Sequence, residues 1–400
     1  MKHELKENEQ AEMSRRGFLK RAALAGATIC VAPTLETVTA AERAIAGKEA
    51  AAIPASASRT GMASIGVKRT LGSGIAAMEV SAMGFGCMGM SHNRGVHPGE
   101  KEQIALIREA IDRGVTFLDT AESYGPYTNE ILVGKALKDG YRKRTFLATK
   151  FGHKYINGKR VADEEDSSPA SIRRVCDESL QRLGIDHIDL FYQHRADPNT
   201  PPEVVAETVG ELIKAGKVKH FGMCEVSADT IRRAHAVCPI TAIQSEYSLM
   251  FLNVETNGVL DVCRELGIGF VPYSPINRGF LSGSINEWTK FDPTHDNRQT
   301  SPRFQPEAIR QNLRIVEVLN AFGRTRGLTS AQVALAWLMN KRPYIVPIPG
   351  TTKLSHLEEN LRAATVLFSA EEMKELEDAV AAIPVVGERY SGAEAAKIQG

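Results

Sequence analysis

The 400-residue sequence has almost no net charge and few aromatic residues. Its 49 Lys and Arg residues balance 48 Asp and Glu residues, and without residues 1–40 the two kinds are equal in number. Nucleic acids and anionic membrane surfaces bind basic proteins, so this balance argues against either as a partner. The sequence also lacks an uninterrupted apolar run of the roughly 20 residues that a membrane-spanning helix needs, and we expect no stable membrane span.

Paired cysteines and clustered metal ligands are also missing. Of the six cysteines, Cys30 lies in the first 40 residues, and the other five form no C-x-x-C pair and no repeated short spacing. An odd number of scattered cysteines does not predict a disulfide framework, so we expect packed thiols. There is no H-x-H pair or similar cluster. We therefore expect no bound metal, and metal-dependent hydrolase chemistry is disfavoured.

What the sequence does have, near its start, is a charged stretch followed by small and apolar residues. SRRGFLK (residues 14–20) precedes a short apolar run and a small-residue site that ends at Ala40. This combination is typical of a twin-arginine signal peptide, although an amphipathic helix packed on the domain would look similar. We interpret residues 1–40 as the signal and residues 41–64, rich in Ala and Ser, as a flexible tether. The twin-arginine export machinery is then a partner, and the protein is expected in the periplasm of a bacterium.

From about residue 65 onward, short apolar runs alternate with helix-like segments. The runs are VTFLDT, TFLATK, IDLFYQH, VKHFGMC, TAIQSEY, IGFVPYS and YIVPIPG, and a strand near Phe85 makes eight. Counting from Ile172, segment 169–183 has apolar residues at i, i+3, i+4, i+8 and i+11, the period of an amphipathic helix. Eight strands with crossover helices predict an α/β fold, a (β/α)8 TIM barrel over residues 65–400, with an N-terminal β-hairpin at 67–81. A doubly wound sheet is the alternative, but no G-x-G-x-x-G opens a helix after an early strand.

Ionisable residues stand where several of these runs end. Asp119 follows VTFL, Lys150 follows TFLAT and His194 follows DLFYQ, while Tyr124 lies five residues after Asp119. Singly, each has an ordinary structural interpretation, such as a helix cap or a rim charge. Together they would meet at the carboxyl end of a barrel, where barrel enzymes place their chemistry.

A phenol beside an ammonium is suited to act as a general acid. The ammonium of Lys150 would stabilise the phenolate of Tyr124 and lower its pKa. Asp119 would hold Lys150 in position, and His194 would hydrogen-bond the substrate oxygen. Such a site protonates an oxygen on which negative charge builds, as in a carbonyl that receives hydride.

A hydride donor is then required, and protein side chains have none, so a nicotinamide cofactor is implied. Gln244 offers an amide for its carboxamide, and Tyr273 offers a flat face for its ring. After IGFVPYS, the seventh predicted strand when the one near Phe85 is counted, residues 275–305 carry three arginines. A loop of that length in a compact barrel is usually functional. These arginines, with Lys353 in PIPGTTK, suit phosphates.

Six motifs follow one another along the chain: GVTFLDTAESYG, LATKFG, DLFYQHR, GKVKHFGM, PYSPINRGFLSG and PIPGTTKLSHLEENL. Through them the sequence resembles the aldo-keto reductase family from about residue 67 to about residue 390. The resemblance implies Tyr124 as the general acid and Lys150 and Asp119 as the residues that tune it. It also implies His194 as the residue that orients the substrate.

The same resemblance implies a cofactor and the residues that bind it. The cofactor is NADPH, extended across the barrel mouth, with a long loop after strand 7 clasping its pyrophosphate. NADH is the alternative, because His356 stands where an arginine often grips the 2′-phosphate and Cys224 where a serine often binds the carboxamide. The implied cofactor-binding residues are Cys224, Glu225, Gln244, Tyr273, Ser274, Arg278, Gly279, Leu281, Gly350, Thr351, Lys353, His356, Glu359 and Asn360.

Two functions remain open at this point. The leading hypothesis is an exported, monomeric oxidoreductase that transfers hydride from NADPH to the carbonyl of a small aldehyde or ketone. The alternative is a nucleotide-binding sensor or interaction subunit with little turnover, since a reductase fold can bind a cofactor without useful catalysis. Nicotinamide nucleotides are made and recycled in the cytoplasm, which motivates the alternative. The complete set of four catalytic candidates favours the reductase.

Overall fold

A computed structural model of the chain describes residues 65–390 together with residues 392, 395 and 398. The predicted signal peptide and tether, residues 1–64, lie outside the described residues. The strands are β1 (Lys68–Leu71), β2 (Met78–Ser81), β3 (Phe85–Gly86), β4 (Phe117–Asp119), β5 (Phe146–Phe151), β6 (His153–Ile156), β7 (Lys159–Glu165), β8 (Ile188–Gln193), β9 (Val218–Cys224), β10 (Ile240–Glu246) and β11 (Gly269–Tyr273).

Seven of these strands form one parallel sheet in the order β3-β4-β5-β8-β9-β10-β11. The eighth predicted run, residues 344–349, bonds to both edges of that sheet. The N–H of Val346 donates to Phe270 of β11 at 2.9 Å, and the N–H of Gly84 donates to the carbonyl of Pro347 at 2.9 Å. These bonds close the sheet, and the predicted (β/α)8 barrel is confirmed. Prolines 347 and 349 lack an N–H, so this eighth segment cannot form a regular ladder.

Ten α-helices lie in the described part of the chain. Each of the first six connects one strand of the parallel sheet to the next. They are α1 (Glu100–Asp112), α2 (Thr128–Ala136), α3 (Pro169–Leu183), α4 (Pro202–Lys214), α5 (Ala228–Val237), α6 (Val259–Leu266), α7 (Pro306–Arg324), α8 (Ser330–Lys341), α9 (Leu354–Arg362) and α10 (Ala370–Ala381). The helix predicted at 169–183 is α3. The hydroxyl of Ser168 caps its first turn, and Gly184, with φ of 65°, ends it.

The N-terminal hairpin covers the amino-terminal end of the barrel. Strands β1 and β2 pair antiparallel, as predicted. The hydroxyl of Thr241, the second residue of β10, donates to the carbonyl of Ala76 at 2.8 Å. Ser81 and Thr116 exchange two hydrogen bonds, of 2.8 and 2.9 Å, just before β4 begins. Since this end is covered, the opposite end is the one at which strand-end side chains meet a cavity.

Two buried layers support the barrel. Inside it, side chains from the strands fill the interior, among them Phe117, Leu190, Tyr192, Val271 and Val346. Outside it, a larger cluster packs the strands against the helices. The five cysteines of the described residues, at 87, 176, 224, 238 and 263, are buried free thiols. No helix among residues 65–390 has the length and apolar character to cross a membrane.

A glycine in β9 allows the interior of the barrel to pack. A Cβ on Gly222 would lie 2.4 Å from the ring of Tyr192 and 2.8 Å from the carbonyl oxygen of Ala242. We therefore expect Gly222→Ala to lower the free energy of unfolding by about 1–3 kcal/mol, as overpacked cores do. Gly210→Ala, in helix α4, is the control, because the atom nearest to its added Cβ, Cys238 Sγ, is 3.8 Å away and alanine favours helix by about 1 kcal/mol over glycine. Urea unfolding of both variants would contradict this packing if Gly222→Ala were as stable as Gly210→Ala.

Candidate active site

Three of the four predicted catalytic side chains meet directly. Lys150, near the end of β5, is fully buried, and Asp119, at the end of β4, is 2 % exposed. The ammonium of Lys150 donates to Asp119 Oδ1 at 2.5 Å, to the carbonyl of Thr120 at 2.9 Å and to the hydroxyl of Tyr124 at 3.0 Å. All three donors of the ammonium are thereby used. The cluster has the geometry that the sequence predicts.

The turn that carries Tyr124 depends on the residue after it. Gly125 has φ of 96°, and a Cβ there would lie 1.9 Å from the hydroxyl of Thr128. Only glycine fits such a position without displacing its neighbour. The turn continues into helix α2, and the N–H of Asn129 donates to the carbonyl of Tyr124 at 3.1 Å. Tyr124 is therefore presented to the barrel mouth from a fixed backbone.

Burial and charge act in opposite directions on these groups. Burial by itself would lower the pKa of Lys150, but Asp119, Tyr124 and Cys224 together outweigh it and hold that pKa above its usual value. Burial raises the pKa of Tyr124 to about 12, although the ammonium of Lys150 lowers it. The effect of Lys150 has the expected sign, yet desolvation is larger. The phenol is thus protonated at neutral pH, as a general acid must be.

His194 completes the set beside the phenol. Its ring is edge-on to Tyr124, with 5.8 Å between the ring centroids, and its Nδ1 lies 3.3 Å from the hydroxyl of Ser123. Burial, followed by the charge of His153 and Arg195, holds the pKa of His194 well below its usual value. The imidazole is therefore neutral, with one N–H to donate.

A cavity of about 960 Å³ begins at this cluster. That volume is at the upper end of the range for ligand pockets. Of the implied cofactor-binding residues, eleven line it: Gln244, Tyr273, Ser274, Arg278, Gly279, Gly350, Thr351, Lys353, His356, Glu359 and Asn360. The predicted loop at 275–305 supplies Arg278 and Gly279, Ser274 lies just before it, and the segment after the eighth strand supplies six. The amide Nε2 of Gln244 donates to Asp119 Oδ2 at 2.7 Å, so Gln244 is tied to the catalytic cluster.

The other three implied residues are buried behind the cavity wall. Cys224, Glu225 and Leu281 are each at most 1 % exposed. The carboxylate of Glu225 accepts two hydrogen bonds from Arg389, at 3.0 and 2.8 Å, and one from the N–H of Glu246 at 2.8 Å. Glu225 is thus engaged by the C-terminal segment.

The C-terminal segment itself reaches the cavity, which sequence reasoning did not establish. Tyr390 lines it, and the hydroxyls of Tyr390 and Tyr273 are 3.0 Å apart. The guanidinium of Arg278 lies over the ring of Tyr390, 4.8 Å from its centroid. Only the fold brings positions 273 and 390 together, so no local sequence signal could have found this contact.

A second unpredicted feature is the small hairpin β6–β7, which follows Gly152. Tyr155, Lys159 and Arg160 of this hairpin line the cavity on the side of His194. The ring of His153 lies 4.6 Å from that of His194, and its Nδ1 bonds to Glu165 at 2.5 Å. A signal was present, because the Asn157–Gly158 pair is the strongest short-range mark of a hairpin turn.

The fold and the site together define a (β/α)8-barrel enzyme with its chemistry at the carboxyl ends of the strands. Residues 82–381 match the model of the aldo/keto reductase family. The chain therefore belongs to that family, and it is an NAD(P)H-dependent oxidoreductase. This confirms the resemblance that the sequence motifs indicated.

Two solved structures are similar to the chain. One is a thermostable aldo-keto reductase solved with the inhibitor epalrestat; it is 27% identical, with a TM-score of 0.64, and the match covers 78% of this chain and 99% of that one. The other is a glycerol dehydrogenase from Gluconobacter oxydans, which is 24% identical with a TM-score of 0.71. That match covers 81% of this chain and 98% of the dehydrogenase, and it bears on the fold alone.

The buried ion pair of the cluster generates a stability prediction. Lys150→Met leaves the carboxylate of Asp119 buried without its ammonium, and breaking a buried pair costs about 3–5 kcal/mol. We expect that loss in the free energy of unfolding, measured with guanidinium chloride. The double variant Asp119→Asn/Lys150→Met removes both charges and should recover most of it. Equal stability of the single and double variants would argue that the carboxylate is not stabilised by Lys150.

Proposed function

We propose that this protein reduces the carbonyl of an aldehyde or ketone with NADPH, with Tyr124 as the general acid. The observation that carries the proposal is the ammonium of Lys150, which bonds at once to Asp119 and to the hydroxyl of Tyr124. A phenol so held, protonated at neutral pH and at the closed end of a cavity, is suited to protonate an oxygen. His194 stands beside it as a neutral donor.

The residues that line the cavity fit a dinucleotide. Tyr273 offers an aromatic face, and the cations Arg278 and Lys353 line the same cavity. These groups suit the flat ring and the phosphates of such a ligand. When bound, NADPH supplies the hydride that protein side chains cannot. Lys353, which lines the cavity, supports NADPH over NADH, because its ammonium can donate to a 2′-phosphate.

The chain's own residues then stabilise the developing charge. The carbonyl oxygen of the substrate sits between the hydroxyl of Tyr124 and the ring N–H of His194, which donate to it as it becomes negative. Tyr124 gives up its proton to that oxygen. The resulting phenolate is stabilised by the ammonium of Lys150, and Asp119 keeps the ammonium in place.

The acid role is tested by Tyr124→Phe, which removes only the hydroxyl. NADPH oxidation by the protein lacking residues 1–40 is followed with aromatic and aliphatic aldehydes. We expect turnover in the parent protein and a loss of about 10²-fold or more in the variant, the scale of general acid catalysis. NADPH binding, measured by calorimetry, should be retained in both. Equal turnover in the two proteins would overturn the assignment.

We also propose that the protein is exported through the twin-arginine machinery and works in the periplasm. The support is SRRGFLK, with its adjacent arginines at 15 and 16, ahead of an apolar run. This route carries proteins that are already folded, so a barrel that clasps a nucleotide could be loaded before it crosses the membrane.

Export is tested by replacing both arginines with lysine, which keeps the charge of the segment. We expect the Arg15→Lys/Arg16→Lys protein to stay in the cytoplasmic fraction, whereas the parent is recovered from the periplasm. Lys20→Arg, a conservative change outside the pair, is the matched control and should export normally. Periplasmic recovery of the double variant would contradict a twin-arginine route.

One contact favours the alternative function, a nucleotide-binding sensor with little turnover. The loop after β3 meets the long loop across the cavity: the N–H groups of Arg94 and Gly95 donate to the carbonyl of His295, at 2.9 and 3.0 Å. The guanidinium of Arg94 also donates to Asn297 at 2.6 Å. A cofactor enclosed by this contact would leave slowly. Single-turnover and steady-state rates separate the two functions, since a sensor would reduce at most one equivalent of aldehyde.

A further inference from the structure

Arg195, next in sequence to the catalytic His194, lines the cavity. Its Nη1 donates to the carbonyl of His194 at 2.8 Å. Among residues 65–390, no carboxylate lies within ion-pair distance of this guanidinium, and its other N–H groups have no protein acceptor. A guanidinium stays charged in proteins and presents five donors. Arg195 therefore brings to the wall of the site a positive charge that no carboxylate of residues 65–390 contacts directly.

The nearest acidic candidate does not account for Arg195. Glu225 acts on Arg195 electrostatically, but it forms no ion pair with Arg195 and directs its two oxygens to Arg389 and to the N–H of Glu246. Arg195 also lies within electrostatic reach of Tyr273 and Tyr390. It thus stands where the cofactor ring and the substrate would meet.

The hairpin β6–β7 adds positive charge on the same side. Lys159 and Arg160 both line the cavity. Arg160 has a longer contact with Glu165, at 3.5 Å, whereas Lys159 makes no ion pair within the described residues. The charges of Arg195 and Arg160 both lower the pKa of His194, so both act on the region of the catalytic histidine.

The cavity holds few negative groups to balance these cations. Two carboxylates line it, Asp119 and Glu359. Asp119 is neutralised by Lys150, and Glu359, among the residues implied for the far end of the cofactor, accepts from the hydroxyl of Thr329 at 2.6 Å. Arg278 and Lys353 are placed for the phosphates of the cofactor. On the substrate side, Arg195, Lys159 and Arg160 line the cavity, and the carboxylate of Glu165 lies behind them, bonded to His153.

We propose that Arg195, supported by Lys159 and Arg160, binds a second, anionic group of the substrate, so that the preferred substrates are carbonyl compounds that also carry a carboxylate or a phosphate. This inference rests on the proposed reductase function and names its substrate class. The guanidinium of Arg195 can donate two parallel N–H bonds, which suit a planar carboxylate and a phosphate equally. The carbonyl remains at Tyr124 and His194, and the anion lies beyond it.

A structural role for Arg195 is the competing explanation, since its bond to the carbonyl of His194 could merely position that residue. The two roles differ in selectivity. A positioning role would affect charged and neutral aldehydes equally, whereas an anion site affects only the charged ones. The readout is therefore a ratio of kcat/KM values within one protein, because general damage to turnover cancels in it.

The test compares substrates of like shape and different charge. 4-Carboxybenzaldehyde is paired with 4-formylbenzamide, and glyceraldehyde 3-phosphate is paired with glyceraldehyde. The parent protein should prefer the charged member by about 10- to 100-fold, the scale of a charge-assisted hydrogen bond. Arg195→Met should bring that preference close to one. Arg195→Lys, which keeps the charge but loses the fork, should retain part of it.

Lys353→Met is the matched control, because it removes one positive charge from the far end of the same cavity. It should weaken cofactor binding and leave the charged-to-neutral ratio as in the parent. A preference for only one of the two pairs identifies the anion as carboxylate or as phosphate, and still supports the site. Equal kcat/KM values for the members of both pairs in the parent, or an unchanged ratio in Arg195→Met, would overturn the inference.

A protein that turned over no aldehyde would refute the reductase proposal, and the anion site would then be tested by binding. Calorimetry of the NADPH complex would compare 4-(hydroxymethyl)benzoate with 4-(hydroxymethyl)benzamide. Tighter binding of the benzoate that disappears in Arg195→Met supports the site. Equal binding of the two compounds overturns it independently of catalysis.

Discussion

The active site depends on one buried ion pair. Lys150 and Asp119 come from adjacent parallel strands, so the register of β5 on β4 decides whether their side chains meet. A one-residue slip would turn one of them to the opposite face of the sheet. Burial of an ammonium is unfavourable unless all its donors are used, and here Asp119, Thr120 and Tyr124 use them. The strand register thus positions the ammonium of Lys150, and that ammonium in turn affects the pKa of Tyr124.

The two ends of the barrel differ in what they contain: the amino-terminal end is covered by a hairpin, and the carboxyl end holds the cavity. At the amino-terminal end the hairpin β1–β2 covers the interior, and its contacts are made through ordinary side-chain and backbone hydrogen bonds. At the carboxyl end, loops of very different length surround the cavity. Positive charge is distributed along that cavity in two groups, one toward the phosphates of the implied cofactor and one beside His194.

Periodicity and position were sufficient to predict the barrel and the side chains that meet at its mouth. Apolar runs mark the strands, and Asp119, Lys150 and His194 follow from where those runs end. The pKa of Tyr124 could not be predicted in sign, because it reflects a balance between burial and Lys150 that exists only in the folded cavity. The bond between Arg389 and Glu225 joins residues 164 positions apart, and no local sequence pattern predicts such a pair. The hairpin with Asn157–Gly158 at its turn could have been predicted from that dipeptide, but the sequence analysis did not predict it.

The place where the barrel closes, between β3 and the segment 344–349, has a consequence for when the barrel can form. Its bonds join residues 84 and 86 to residues 347 and 349, so the first and last strands meet across almost the whole length of the domain. Until the final segment has left the ribosome, the sheet has two unpaired edges, the kind of surface that recruits other strands. Closure is therefore a late event in the folding of this chain. Any factor that binds the chain before that segment emerges meets an open sheet, and only afterwards does it meet a barrel.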